Sequence, residues 1–321
     1  MLIRKTICLL ISMMYLWTIK TTAQQSFSLY EDSLVRLAKE IQTGRDDFNK
    51  LNASDRFYNL LNTALQEHNS FYYPFDSLKS ISKLTSDDER VRIFTWVVSK
   101  NDGTYEYGGI LQVRQKKGKS SSIFKLEDHS SEIENPENQV LGCSNWYGAL
   151  YYRLIENSYN DHTWYTLLGW DGNNPLSRKK LIEVLTLSPS GKPVFGASIF
   201  ARFPRKCKRI IFEYSANTSM TLNYSKQMID VRVKKGKKRL TEKEVHEMLV
   251  FDRLAPMSKS VEGVYQFYYP ETNVLDGFIF DKGHWNFARE VDARNDLREP
   301  GIKKPKKVEF ELFPPREDEK K

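Results

Sequence analysis

The clearest indication of the fold comes from residues 278–287, FIFDKGHWNF. Two short runs rich in aromatic residues flank the step Asp281-Lys282-Gly283, which is typical of two strands joined by a tight turn. Gly283 can adopt the positive φ angle that such a turn requires, because it has no Cβ atom. The segment therefore predicts a β-hairpin.

Runs of the same kind recur upstream of this hairpin, starting at about Arg90 and separated by Gly, Asn, Asp and Ser. The chain contains 17 Tyr, 18 Phe and 6 Trp, and aromatic residues of this abundance favour the pleated surface of a sheet. Strands are predicted near residues 91–98, 105–114, 122–126, 146–154, 163–169, 181–187, 209–214, 220–224, 228–233, 264–269, 277–281 and 284–287. The succession of hairpins predicts an antiparallel meander, folded as a sandwich, an incomplete propeller or a barrel, with no fixed-period repeat to favour the propeller.

The part of the chain before these strands has helical periodicity. Two apolar stripes show the i, i+3, i+4, i+7 spacing of helix faces that must be buried. Their members are Leu34, Leu37, Ala38 and Ile41 in the first, and Phe57, Leu60, Leu61, Ala64 and Leu65 in the second. The predicted class is mainly β (α+β), with a helical segment over 24–85, an antiparallel β domain over 86–297 and a charged, Pro-containing tail over 298–321, which is expected to be flexible.

Residues 1–23 have the features of a cleavable signal peptide. Arg4 and Lys5 precede an apolar stretch over residues 6–19, and the small residue Ala23 stands before Gln24. The stretch is shorter than the ~20 residues that span a bilayer, although an uncleaved amino-terminal anchor remains the alternative. We therefore expect export to the periplasm, the outer membrane or the exterior, with no transmembrane segment after cleavage.

The charge is only mildly positive. The formal net charge of +8 becomes +5 when the three basic residues Arg4, Lys5 and Lys20 leave with the signal peptide. An excess of this size does not indicate a nucleic-acid partner.

Two cysteines, Cys143 and Cys207, remain in the mature chain. An oxidising compartment permits one disulfide between them, and two buried free thiols are the equal alternative. Gln139 and Trp146 match the spacing around the nucleophile of papain-type proteases, but Asn145 occupies the nucleophile position. This mismatch argues against a cysteine protease.

Other candidate sites have simpler structural interpretations. Asp161-His162 could form an acid–base pair, but adjacent strand residues point to opposite faces, and a turn with a surface histidine is expected. Asp171, Asn173 and Asn174 could offer oxygens to calcium, yet the further carboxylates and the closing Glu of a calcium loop are missing, and a turn between two strands, which needs no ion, is the expected structure. No histidines stand at a metal-binding spacing, so no cofactor is predicted.

Two basic clusters coincide with predicted hairpin tips. They comprise Lys116, Lys117 and Lys119 in one tip, and Lys234, Lys235, Lys237 and Lys238 in the other. Charged, Gly-centred tips are usually solvated turns that discourage edge-to-edge aggregation. The functional alternative is contact with an anionic envelope surface, such as lipid headgroups or lipopolysaccharide phosphates, or with an acidic envelope protein.

Four segments carry a resemblance to a set of exported proteins of Bacteroidota for which no activity is known. They are YTLLGWDGNN at 165–174, KKLIEVL at 179–185, FG at 195–196 and IIFEY at 210–214. The resemblance extends over roughly residues 71–286. It implies a location in the bacterial envelope and no particular reaction.

The sequence predicts a non-catalytic interaction or structural protein of the envelope. A carbohydrate- or glycan-binding module is the first alternative, and a hydrolase of unrecognised type is the second. A deep pocket with convergent polar groups would favour the enzyme, and exposed coplanar aromatic rings would favour the glycan binder. An exposed sheet edge would favour the interaction protein.

Overall fold

The computed structural model describes residues 27–115, 121–235 and 238–291. Two helices precede a series of antiparallel strands, which confirms the predicted mainly β class with a short helical pair at its start. The signal segment 1–23 and the tail 298–321 lie outside the described residues. Within the part that is described, no helix has the length and apolar character needed to cross a membrane.

The helical pair consists of α1, residues 27–43, and α2, Asp47–Gln66. Asp46 caps α2, because its carboxylate accepts a hydrogen bond of 2.8 Å from the backbone N–H of Asn49. Both apolar stripes face inward as predicted, with only Leu60 left partly exposed. A helix pair of this length depends on such packing, since its own propensity gives little stability.

Fourteen strands follow within the described residues. In chain order they are β1 Ser82–Thr85, β2 Val91–Ser99, β3 Tyr105–Arg114, β4 Ser121–Glu127, β5 Leu150–Tyr159, β6 His162–Asp171, β7 Ser177–Leu187, β8 Pro193–Phe195, β9 Phe200–Ala201, β10 Ile210–Ser215, β11 Leu222–Lys235, β12 Lys238–Pro256, β13 Tyr268–Asp281 and β14 His284–Ala288.

The strands form three sheets. The first is the meander β1-β2-β3-β4. The second has the order β10-β7-β6-β5, with β8 paired to the end of β7. The third has the order β11-β12-β13-β14-β9, and β9 with β14 is the one parallel pair among the described strands.

The sheets stack face to face with the helices on the outside of the first. One buried cluster joins the helices to the first sheet, where the rings of Phe57 and Trp96 lie 4.9 Å apart. A second cluster fills the space between the first and second sheets, and a third lies between the second and third. Along β6, Leu167 faces the second cluster and Leu168 the third, because strand side chains alternate. The result is a four-layer stack of one helical layer and three sheets.

The hairpin predicted from residues 278–287 is confirmed. Asp281 pairs with His284, and Lys282 and Gly283 both have positive φ angles, 48° and 81°. This is the two-residue turn whose backbone twist suits a hairpin.

Several other strand predictions need correction. Residues 220–224 and 228–233 belong to one strand, β11, and its partner β12 was not predicted. Residues 146–149 precede β5 and lie outside it, and Tyr265–Phe267 is a short 3-10 helix in front of β13. The short strands β1, β8 and β9 were also missed, and β1 lies within the segment predicted to be helical.

Candidate functional site

A two-stranded arm extends beyond the third sheet. β12 pairs with β13 only from Met248 onward, whereas its earlier residues pair with β11 alone. We call the arm residues 226–235 and 238–247, which form ten residue pairs from Lys226 with Glu247 to Lys235 with Lys238. At about 3.3 Å per residue the arm is about 33 Å long. No third strand pairs with it among the described residues, so both of its edges are free.

The far half of the arm is strongly basic. Of the eight residues from Arg232 to Arg239, six are basic and none is acidic. Near its base, Met228 and Val245 face each other across the two strands and are 39% and 53% exposed. The arm thus combines a cationic end with an apolar pair at its base.

The predicted basic tips are described only in part. Lys116, Lys117, Lys119 and Lys237 lie outside the described residues, and the backbone at Lys234, Lys235 and Lys238 ends the strands of the arm. The first predicted hairpin is present, since Arg114 at the end of β3 pairs with Ser121 at the start of β4. Contact of either tip with an anionic surface stays a prediction.

An open groove with a volume of about 800 Å³ lies between the ends of the first and second sheets. We call it the inter-sheet groove. The buried side chains of Val113 and Tyr165 contribute to its lining, and Arg90 lies on the side of the first sheet. On the side of the second sheet it is bordered by His162 and by the β7–β8 turn. The groove therefore lies over one end of the cluster between these two sheets.

Asp88 organises the polar groups next to the groove. The hydroxyl of Tyr165 donates to its Oδ2 at 2.7 Å, and its Oδ1 accepts from the hydroxyl of Ser86 at 2.6 Å and the backbone N–H of Arg90 at 3.0 Å. Burial and the bond to Asp88 raise the pKa of Tyr165 well above its usual value, so the phenol stays protonated.

The guanidinium of Arg90 contrasts with this satisfied network. Its Nε atom is buried and has no hydrogen-bond partner among the described residues. A buried donor without a partner has lost its hydration without compensation. Arg90 was not singled out from the sequence.

The Asp161-His162 pair lies at the rim of the groove in the turn between β5 and β6. Asn160 and Asp161 both have positive φ angles, and Tyr159 pairs with His162. The ring of His162 is exposed and packs edge-on against Trp164, with 6.0 Å between ring centroids. This is the predicted turn with a surface histidine.

Asp171 lies buried at the end of β6. Its Oδ1 accepts from the hydroxyl of Tyr107 at 3.0 Å and from the backbone N–H of Asn173 at 2.7 Å, and its Oδ2 lies 3.8 Å from the Nζ of Lys179. Burial raises the pKa of Asp171 despite the nearby Lys179. The carboxylate therefore anchors a turn.

The neighbouring asparagines also bond to protein groups. The side-chain oxygen of Asn174 accepts from the backbone N–H groups of Leu176 and Ser177, at 2.9 and 3.0 Å. The side-chain amide of Asn173 donates to Ser177 and Glu213. No group of three or more His, Cys, Asp or Glu that could hold a metal occurs in the described part of the chain. The arrangement fits the turn interpretation better than the calcium one.

Cys143 and Cys207 are both free thiols in the structure. Cys143 is partly buried against the cluster between the first and second sheets, and Cys207 is buried in the cluster between the second and third. Burial raises the pKa of each thiol to about 11. A thiol with such a pKa is a poor nucleophile at neutral pH.

A second arginine that sequence reasoning missed is fully paired. Arg209 and Glu183 form an ion pair of 2.7 Å in which both side chains are 0% exposed. The guanidinium also donates to the backbone carbonyls of Pro136, Gln139 and Phe195. This set of contacts joins the second sheet to the connection that precedes β5, which indicates a structural role.

In the described part of the chain, the arm and the inter-sheet groove are two surfaces with unmatched chemistry, namely excess positive charge in one and an unpartnered guanidinium in the other. The arm belongs to the third sheet, and the groove lies between the first and second. They are separate features of the fold. Comparison with known proteins finds no family model, no curated protein and no solved structure that matches this chain.

Proposed function

We propose that this chain is an exported, non-catalytic protein of the cell envelope that contacts an anionic surface through the arm. The observation that carries the proposal is a two-stranded extension with free edges in which six of the eight residues from Arg232 to Arg239 are basic. Lipid headgroup phosphates and lipopolysaccharide phosphates offer the same complementary chemistry.

Folding alone gives no reason for such an arm. An isolated two-stranded ribbon is marginally stable in water, and closely spaced like charges repel one another. Near an anionic membrane each Lys or Arg contributes about 1 kcal/mol of attraction. Six such residues could therefore supply at most about 6 kcal/mol, or about four powers of ten in partitioning.

The export part of the proposal rests on the amino-terminal sequence. Mass spectrometry of the protein exported by a bacterial host should give a mature amino terminus at or within a few residues of Gln24. Recovery of intact Met1 in the envelope fraction would instead support the uncleaved anchor.

The test of the arm uses a shortened variant. Ser225 and Met248 face each other in the register of β11 and β12, so residues 226–247 can be replaced by Asn-Gly to close a two-residue hairpin. We expect the thermal midpoint to stay nearly unchanged and cosedimentation with phosphatidylglycerol vesicles to be lost. Phosphatidylcholine vesicles serve as the neutral control, and vesicles containing lipopolysaccharide distinguish the two sources of phosphate.

Two charge-reversal variants test whether the positive charge of the arm, and not merely its presence, is responsible for vesicle binding. Lys234→Glu with Lys235→Glu should weaken cosedimentation by at least about tenfold, and raised salt should weaken that of the wild type. Lys116→Glu with Lys117→Glu makes the same charge change at the other basic cluster and should have the smaller effect. Unchanged binding of the Lys234/Lys235 variant would refute the proposal. If only the shortened variant fails to bind, vesicle contact would depend on another part of the arm, such as the exposed Met228 and Val245, and the charge-based proposal would be overturned.

A further inference from the structure

We infer that the inter-sheet groove binds an acidic saccharide and that Arg90 pairs with its carboxylate or phosphate group. The inference concerns a different surface from the arm and does not depend on it. It rests on the size of the groove, on the polar groups that line it and on the unpartnered guanidinium within it.

The groove has the size and the hydrogen-bonding groups for a ligand rich in hydroxyls. Its volume of about 800 Å³ falls within the ~300–1,000 Å³ of small-molecule sites. Ser122, Thr163, Ser188 and Ser190 place hydroxyl groups along its lining. Thr163 already shares a hydrogen bond with Ser158, and Ser188 shares one with Ser190, but a hydroxyl with one such bond keeps a lone pair for a ligand. The set can therefore still hydrogen-bond to the hydroxyls of a sugar.

The unpaired positive charge of Arg90 indicates that the ligand is an anion. Within the described residues its guanidinium has no carboxylate within 4.0 Å and its Nε atom is buried without a partner. Asp88 is already occupied by the hydroxyls of Tyr165 and Ser86 and by the backbone of Arg90. The Nε atom itself is enclosed, so a ligand in the groove would meet the terminal nitrogens of the guanidinium, which are suited to a planar, two-point contact with an oxyanion.

The other charged groups of the groove explain why Arg90 is assigned this role. Arg114 is paired with Glu89 at 3.1 Å and also donates to the hydroxyl of Tyr72, so its charge is already matched. Asp161 at the rim would repel a densely charged polyanion. A saccharide with one carboxylate or phosphate per sugar fits this arrangement better.

The binding test uses a β-1,4-linked mannuronate tetrasaccharide, the neutral tetrasaccharide of mannose, and glucose 1-phosphate. Isothermal titration calorimetry and NMR chemical shifts should show that the mannuronate ligand binds at least about tenfold more tightly than the neutral one. Binding of the neutral sugar with equal affinity would overturn the assignment to Arg90. If neither acidic probe binds at a concentration of about 10 mM, the inference as a whole would be overturned.

Substitutions of Arg90 test whether this residue is the anion contact. Arg90→Gln should abolish the preference for the acidic sugar, and Arg90→Lys should retain part of it, because Lys keeps the charge without the fork of donors. The thermal midpoint of Arg90→Gln should be unchanged or higher, since the substitution removes an unpartnered buried donor. Arg36→Gln, at an exposed position on α1, is the matched control.

Each proposal can fail separately. The arm-shortened variant should bind the mannuronate tetrasaccharide as the wild type does, whether or not it still binds vesicles. Wild-type affinity in Arg90→Gln would exclude Arg90 as the anion contact.

Discussion

Replacing Arg209 by Met should destabilise the protein strongly, because it leaves Glu183 as an uncompensated buried charge. Both side chains are 0% exposed, and they are joined at 2.7 Å. Removing one partner of a buried ion pair costs about 3–5 kcal/mol. The three backbone carbonyls that Arg209 contacts would also lose a donor, so the upper part of this range is expected.

The cost should depend on pH in a defined direction. Burial raises the pKa of Glu183, and Arg209 acts against this rise, so its removal should raise the pKa further. A carboxyl whose folded-state pKa exceeds its unfolded value favours the folded state in acid and loses that contribution as pH rises. The deficit of Arg209→Met relative to the wild type should therefore grow between about pH 5 and pH 8, by no more than about 1.4 kcal/mol per pH unit.

Urea denaturation followed by tryptophan fluorescence measures these free energies. The control is Arg56→Met, which breaks an ion pair with Glu40 whose side chains are 59% and 52% exposed, and this should cost less than about 1 kcal/mol. Combining Glu183→Gln with Arg209→Met should remove the added pH dependence. A cost for Arg209→Met below about 1 kcal/mol, or a deficit independent of pH, would refute the reasoning.

Three further predictions concern single sites. Burial raises the pKa of Asp171, so its contribution to stability declines as pH rises through that pKa, and Asp171→Asn should lose this decline in urea titrations between about pH 4 and pH 7. Gly283→Ala should cost about 1–2 kcal/mol in the same assay, because φ is 81° and the new Cβ would lie 3.2 Å from Trp164. Both Cys143 and Cys207 should react as free thiols after unfolding, whereas a disulfide would leave neither reactive. In the folded protein at pH 8 each should be alkylated about two orders of magnitude more slowly than in the unfolded protein, because burial raises its pKa.

The first sheet could be predicted closely from the sequence because its pattern is local. β3 spans Tyr105–Arg114 and β2 spans Val91–Ser99, nearly the predicted ranges, since both consist of aromatic and β-branched runs between turn residues. The helical stripes were predictable for the same reason, because each periodicity lies within one short segment.

β12 could not be predicted because the composition of its first half does not favour a strand. Residues 238–247, KRLTEKEVHE, are mostly charged and contain few of the residues that favour strands. Their extended conformation comes from pairing with β11, a tertiary interaction that overrides local propensity. Since the arm contains this segment, its length could not be inferred from the sequence, although the basic cluster at its end could.

The groove was missed because no segment of the sequence contains it. Arg90 and Ser122 come from the first sheet, whereas Tyr165 and Ser188 belong to the second sheet and the turn that follows it. These residues meet only because the two sheets stack with their ends aligned. Asp161-His162 was noticed for its composition, and the structure places it at the rim of the same groove.

A comparison of three arginines shows why the surroundings of a residue identify a site better than its type does. Arg92 is 4% exposed and donates to the carbonyls of the connection after α2, and Arg209 is 0% exposed and pairs with Glu183, so both guanidinium groups are matched by the protein. Arg90 shares their chemistry, but its buried Nε atom finds no partner among the described residues. The Arg90 side chain as a whole is only partly buried and lines the groove, so the rest of its guanidinium, unlike those of Arg92 and Arg209, is left without a partner in the described part of the chain, where a ligand can reach it.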